Sequence, residues 1–333
     1  MTLDRPIRET KLQSSCLQLT QIVKRLGPGA KLPTVRELSE ILPASVATIN
    51  NALHELEARS LIVRKHGVGI FVASHLPHHR IALICRPDFF RAIGSSPFWG
   101  LLLEQAQRYA TAEQEELTFY FSESRQEAGT LTNTQQQEIS SGQFHGIISI
   151  GLDACDAEWI RTQSLPFVAF AGPGSYTVGF DNEELLRLGH EALLPFGARI
   201  VVLESEHNDL SKQQSGYLWG RTLLARPHSE WPEGIISRDD MLTLGLIGAF
   251  HEQGIPLDGP IRIATHANAG SPALLGWEEQ LVRLEVSPTA IIMCLFEVLQ
   301  ALMRGETPPV SSQKISICTV YGAKWKEKDS SKS

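Results

Sequence analysis

The chain has 333 residues, 42% of them apolar, and a formal net charge of −7. That length can bury two or three compact cores, while no apolar run reaches the ~20 residues needed to cross a bilayer. The five scattered cysteines (Cys16, Cys85, Cys155, Cys294, Cys318) lack paired metal-ligand spacing, and the acidic balance excludes a uniformly basic nucleic-acid coat.

Charge is unevenly distributed. Residues 1–75 hold ten Lys/Arg against six Asp/Glu, a balance of +4, which leaves 20 against 31, or −11, for the remainder. A basic end on an acidic body is expected where that end meets phosphates. In this segment Leu12, Cys16, Leu19, Ile22, Val23 and Leu26 recur at helical spacing until "GPG" stops the helix. Thr34 reads as the N-cap of a second helix, and Glu37, three residues on, completes a capping box. Ser45 caps a third helix, with Thr48, Ile49, Ala52, Leu53 and Leu56 in its repeat. "LIVRKHGVGIFVA" then gives two β-prone runs around Gly67 and Gly69, a hairpin. Three helices and a glycine-turned hairpin over residues 1–73 predict a winged helix-turn-helix.

Residues 74–80, "SHLPHHR", interrupt the pattern. HxxHH can be a metal tract, but a polar proline-containing linker is the simpler reading, so no metal and no cofactor is expected. From there strands alternate with helices. The strands are expected at 81–85, 117–121, 146–150, 167–171, 199–203, 234–237, 261–265 and 314–320, and the helices at 98–112, 183–194, 212–225, 241–253 and 289–304. Short apolar strands separated by amphipathic helices predict an α/β class with parallel sheets covered on both faces. Some 240 residues of this suggest two doubly wound lobes with a ligand cleft at the carboxyl ends of the strands. "CRPDFFRAIGSS" stands where a dinucleotide-binding glycine loop would follow the first strand, which argues against such a cofactor.

The stretches "GAKLPTVRELSEIL" and "TINNALHELEARSLIVRKHGVGIFV" resemble the helix, turn and wing of the GntR family of bacterial transcription regulators, in the family's order over about residues 10–73. Residues 80–322 are similar to the LacI-type sensor domain, itself related to type I periplasmic sugar-binding proteins. "VGFDNEELLRLGHEALLPFGARIVVL", "GIISRDDMLTLGLIGAFHEQGIPL" and "LEVSPTAIIMCLFEVLQALMRGE" carry that likeness in sequence order. The resemblance implies a first lobe of about 81–177 plus 283–304 and a second of about 178–282 plus 305–322, and the polar composition of the end, "KWKEKDSSKS", predicts a disordered tail over 323–333. Between "SGYLWGRTLLA" and "EGIIS" the chain is too short for the usual strand-plus-helix unit, so a trimmed second lobe is expected.

Two sets of residues follow. Toward DNA, the resemblance puts Thr34 and Arg36 at the start of the second helix, where the competing reading of Arg36 is a surface charge beside Glu37 and Glu40. Ser45, Thr48, Asn50 and Asn51 form the polar face of the third helix, and Arg64, Lys65, His66 and Gly67 form the wing. Asparagine can pair in bidentate fashion with adenine, and serine or threonine with base edges or phosphates. The family often has arginine at the places of Val46 and Asn50, so an A·T-rich contact is expected. Toward an effector, Phe98 and Trp99 could supply an aromatic wall, or merely anchor their helix. Arg86, Asp88, Asp181, Gln213, Asp239 and His266 would contribute polar contacts. Gln213 stands where the sensor family usually has arginine, Asp239 where it has asparagine and Ala267 where it has aspartate, so two anchors are altered and one is lost.

The function these readings predict is a sequence-specific regulator, a repressor of a carbohydrate-utilisation or similar catabolic operon. Its partners would be double-stranded operator DNA, a small-molecule effector with a sugar as first candidate, and a second copy in a homodimer. The alternative is a sensor that serves only for dimerisation or binds a non-sugar ligand. An enzyme is not expected. Lys212 is the only lysine between Lys65 and Lys314, a poor basis for a Schiff-base aminotransferase, and no G-x-S-x-G elbow is present. The start "MTLDRPIRETKLQSS" lacks the apolar core of a secretory signal, so the expected compartment is the cytoplasm, away from membranes.

Overall fold

A computed structural model describes residues 11–58, 61–74, 79–86, 96–122, 131–205 and 210–326. The chain divides into two compact units, residues 1–80 with 110–116 and residues 81–109 with 117–333.

The first unit is built from α1 (Lys11–Leu26), α2 (Val35–Ile41), α3 (Val46–Ala58), β1 (Ile62–Lys65) and β2 (Gly69–Val72). Its helices start where the side chains can satisfy them. Thr34 Oγ1 accepts the Glu37 N–H while the Glu37 carboxylate accepts the Thr34 N–H, the predicted capping box. Ser45 Oγ accepts the Thr48 N–H at 3.2 Å. One face of each helix is apolar, and Leu19, Leu38, Ile49, Leu53, Leu56 and Ile62 meet fully buried. At ~1.5–3 kcal/mol per buried side chain, those six contribute on the order of 10 kcal/mol of apolar burial, and Val23, Leu32, Leu42 and Val72 add to the same core. β1 and β2 pair antiparallel, from Ile62 opposite Val72 to Lys65 opposite Gly69. Gly67 turns them at φ +71°, a conformation that a side chain would strain. Residues 30–32 add a short third edge, with Leu32 N–H donating to Ile70 O and Val72 N–H to Ala30 O.

The second unit has two lobes. Lobe 1 is a six-stranded sheet in the order β12-β7-β6-β5-β3-β4, made of β3 (Arg80–Cys85), β4 (Glu116–Phe121), β5 (Gly146–Ile150), β6 (Phe167–Phe170), β7 (Tyr176–Phe180) and β12 (Ser312–Ile315). Its helices are α4 (Phe98–Ala112), α5 (Asn133–Ser140), α6 (Ala154–Thr162) and α10 (Pro288–Met303). Lobe 2 is five-stranded, in the order β13-β11-β10-β9-β8: β8 (Ile200–Leu203), β9 (Gly234–Ser237), β10 (Arg262–Asn268), β11 (Val282–Val286) and β13 (Cys318–Tyr321), the last antiparallel to β11. It carries α7 (Asn182–Leu193), α8 (Lys212–Leu224), α9 (Asp240–Glu252) and the short α11 (Ala323–Lys326). The chain crosses between lobes after β7, after β11 and between β12 and β13.

Several sequence expectations need correction. Residues 314–320 are not one strand: they divide into β12 and β13, which belong to different sheets. Lobe 1 therefore includes 312–315, while 282–286 lie in the lobe 2 sheet. Two strands, Tyr176–Phe180 and Val282–Val286, and two helices, Asn133–Ser140 and Ala154–Thr162, are not among the expected elements. Val282–Val286 and Ala154–Thr162 are interrupted by charge, Asn133–Ser140 has few apolar positions, and Tyr176–Phe180 is a short alternating run directly after a glycine-rich turn. The tail is ordered at its start. Trp325 in α11 is buried, donates its indole N–H to Gln280 O at 2.9 Å, and packs edge-on against Phe196. The Arg262 guanidinium lies 5.3 Å from the Phe196 ring and 5.5 Å from that of Trp325.

Candidate DNA-binding face and effector cleft

On α3 the apolar positions Ile49, Ala52, Leu53 and Leu56 face the core, which leaves Ser45, Val46, Ala47 and Asn51 exposed and Thr48 and Asn50 half-buried. This gathers the predicted polar face. Ser45 and Thr48 are bonded to each other through their hydroxyls at 2.8 Å, so each keeps only part of its bonding capacity for a ligand. Thr34 is engaged by its capping box. Arg36 is highly exposed but lies 3.7 Å from Glu40, and Arg64 lies 3.1 Å from Glu57. Exposed pairs of this kind contribute ~0–1 kcal/mol, so a phosphate can take either arginine from its partner. Lys65 stacks its ammonium 4.9 Å from the Phe71 ring centre and has no carboxylate partner among the described residues. His66 and Gly67 form the exposed wing tip, and Val68 beside them is 56% exposed. Beyond the buried Ile62, Val63, Arg64 and Lys65 are all exposed although they alternate between faces, because the two-stranded hairpin is open to solvent on both sides there.

The second candidate site lies where the strands of the two lobes end. From lobe 1, Phe98 at the start of α4 is buried, with its ring centre 4.9 Å from that of Trp99 and 6.0 Å from that of Phe170. These ring contacts anchor the start of α4 against Phe170, at the end of β6. Arg86 is half-buried at the end of β3, whereas Asp88 lies outside the described residues. From lobe 2, His266 on β10 is buried and stacks on Phe180 at 5.0 Å, close to parallel. Its Nε2 is buried with no hydrogen-bond partner. Burial holds the imidazole well below its ordinary range, down to about 4, against the opposing pull of the Asp239 charge.

The two named aspartates turn out to be helix caps. Asp181 Oδ1 accepts the N–H groups of Glu183 and Glu184 at the start of α7, and Asp239 Oδ1 those of Met241 and Leu242 at the start of α9. The carboxyl at the centre is the neighbour, Asp240, only 2% exposed. It accepts from Asn268 Nδ2 at 3.1 Å and from Ser96 Oγ of lobe 1 at 3.3 Å, a bridge between lobes. Burial, followed by the charge of Asp239, raises its pKa to about 6, although the bonds from Asn268 and Ser96 pull the other way. Asp240, Asn268, Ser96, Phe170 and Phe180 were missed from sequence. The one available signal was the doubled acid in "SRDD": a single N-cap needs only one carboxylate. Gln213 does not join this cluster. It is exposed and lines a separate groove of about 390 Å³ with Gln214, Tyr217, Leu244 and Gly248.

Residues 19–72 match the family described as bacterial regulatory proteins, gntR family, and form its helix-turn-helix domain. The same region is 41% identical over 76 residues to an Escherichia coli (strain K12) protein named as an uncharacterized HTH-type transcriptional regulator, YihL. That likeness takes in 22% of this chain and 31% of the relative, so the chain spans about a third of that protein's length. The remainder has the fold of a regulatory protein of the LacI family from Chloroflexus aggregans, with a TM-score of 0.59 at 15% identity over 73% of this chain and 98% of that one. It is also similar to a periplasmic solute-binding protein from Actinobacillus succinogenes with bound D-allose, at a TM-score of 0.58 and 14% identity over 75% and 99%. Among the described residues, no helix is long and apolar enough to cross a membrane.

Proposed function

We propose that this GntR-type winged helix, joined to a two-lobed unit of LacI-type fold, is a cytoplasmic, sequence-specific DNA-binding regulator. On this reading it is a repressor of a catabolic operon rather than an enzyme. The observation that carries it is the exposed polar face of α3 beside the open wing, within the segment that matches the family. A homodimer would set two such modules on a pseudo-palindromic operator. α3, with no lysine or arginine, reads bases, while Arg36, Arg64 and Lys65 hold phosphates. Site selection from random duplexes followed by fluorescence anisotropy tests this. The selected half-site should be A·T-rich at its centre, and Asn50→Ala should relax the preference there by about tenfold. Lys65→Ala should weaken all duplexes alike and reduce the salt slope by about one. A selected site dominated by guanine under α3, or no duplex preference, overturns the reading.

For the effector, the unpartnered His266 Nε2, stacked against Phe180, supports a ligand with hydroxyl donors, of which a sugar is the first candidate, with Phe98 and Trp99 of lobe 1 as its aromatic contacts. Closure of the lobes on it would change the affinity of the paired readers for the operator. A second reading is favoured by Asp181, Asp239 and Asp240 being bonded within the protein: the sensor binds a non-sugar ligand or serves only to dimerise. Thermal-shift titration with a panel of pentoses and hexoses separates the two. A shift lost in His266→Ala supports the sugar site, and no shift across the panel supports the second reading.

A further inference from the structure

Among the described residues, lobe 2 lacks the strand that in lobe 1 covers the outer edge of the first strand. β3 lies between β5 and β4, but β8, the corresponding first strand of lobe 2, pairs with β9 alone among the described residues. The Arg199 carbonyl accepts the N–H groups of Glu233 and Gly234, so it points toward β9. Strand alternation then directs Val201 and Leu203 the same way and leaves the N–H and C=O of Val202 pointing outward. Edges of this kind are normally protected by lysine, proline or a bulge. Here the strand reads Ile200-Val201-Val202-Leu203, and Val201 and Val202 are 36% and 40% exposed. Beside the edge, under α8, lies a cavity of about 500 Å³ whose apolar lining includes Val201, Leu218, Trp219 and Leu223. Leu218 is itself 46% exposed.

We propose that the open edge of β8 is a self-association surface, pairing antiparallel with the β8 edge of a second copy of this chain across a two-fold axis. Three observations favour a second copy over another extended peptide. The strand is uncharged along its length and is therefore its own apolar complement. The charged residues lining the cavity are balanced, Arg199 and Arg226 against Glu204 and Glu230, so two copies can meet without net repulsion. Arg199 and Glu204 are already neutralised within the chain by Glu233 and Arg238. Antiparallel pairing of identical edges also closes at two copies, because each uses up the other's free groups and none remains to propagate a fibre. The joined sheet would place the partner's strand where lobe 1 has β4.

Sedimentation velocity of the full chain without DNA, over roughly 0.5–50 µM, tests the surface independently of any operator reading. The wild type should be dimeric. Val202→Lys on the edge and Leu218→Glu beside the cavity should each raise the dissociation constant at least about tenfold, with the far-UV circular dichroism of the monomer unchanged. Amide hydrogen exchange on the wild type needs no variant: protection of the Val202 N–H should rise with the dimer fraction. A wild type that stays monomeric, a dimer unaffected by both substitutions, or a Val202 amide that exchanges equally fast in monomer and dimer overturns the proposal.

Discussion

The two lobes of the second unit follow one plan with one difference, and the difference rearranges more than it removes. In lobe 1 the first helix, α4, runs from β3 outward to β4, and Tyr109 on it packs against Phe296 of α10 at 4.8 Å. The helices leading to the following strands, α5 and α6, lie on the other face, where Ile139 and Ile160 meet Ala82, Ile84 and Ile147. In lobe 2 no such second strand stands among the described residues, and α8 leads from β8 inward to β9. A crossover between parallel neighbours is right-handed, so reversing its direction moves the helix to the opposite face. α8 accordingly shares a face with α9: Leu223 joins Leu242, Leu246 and Phe250 over Ile235, while Ile236, the next residue, meets Gly189 of α7 on the other side. Loss of one strand–helix unit thus relocates a helix and opens an edge.

The relocation has a steric requirement that can be broken. A Cβ on Gly245 of α9 would lie 1.9 Å from the Gln213 carbonyl oxygen, and one on Gly216 of α8 would lie 2.0 Å from that of Leu242. Gly245→Val should therefore force the helices apart and cost about 5 kcal/mol, seen as loss of the cooperative urea transition of lobe 2. Next in size, Trp325→Ala should cost about 4 kcal/mol by the same measurement, because it uncovers Phe196 and Arg262 at an end of lobe 2.

Asp240, where the lobes meet, has a pH signature. Raised from 3.8 to about 6, it holds its proton more tightly folded than unfolded, so its penalty is absent in acid, grows as the pH rises to about 6, and is full above that. Asp240→Asn should remove it, stabilising by up to ~3 kcal/mol near pH 8 and by almost nothing below about pH 3. His266, lowered from 6.5 to about 4, has the opposite sign, costing stability as the pH falls through that window. Present in both proteins, it cancels from their difference in urea denaturation at paired pH values. The smallest expected effect is the control for the glycines: Gly100 on α4 has open space around it, so Gly100→Ala should stabilise by up to ~1 kcal/mol through helix propensity.

What could be read from the sequence was whatever is encoded within a few residues. The Thr34–Glu37 capping box, the Ser45 cap, the turn at Gly67 and the apolar spacing of α3 are local, and each appears where its residues stand. The helix-turn-helix followed from those signals in the right order, and the doubly wound class from alternating periods. The candidate cleft was legible only in part. Phe98 and Trp99 lie at the start of α4 and His266 on β10 of the other lobe, but Gln213 goes to a different groove. Its helix lies on the face that the reversed crossover dictates, a property of strand order rather than of the residues around Gln213.

Two neighbouring aspartates show the same limit. Asp239 and Asp240 are indistinguishable by composition and equally suited to begin a helix. Only the folded chain makes one a cap and buries the other against Asn268 and Ser96, 28 and 144 residues away. Likewise "KISICTV" has the composition of one strand, yet residues 312–315 and 318–321 complete different sheets, because the chain must cross between lobes to finish both. Local hydrogen bonding and periodicity act between near neighbours and can be read from the order of residues. Burial, desolvation and the handedness of a crossover depend on which distant segments arrive beside them, and the tertiary structure decides that.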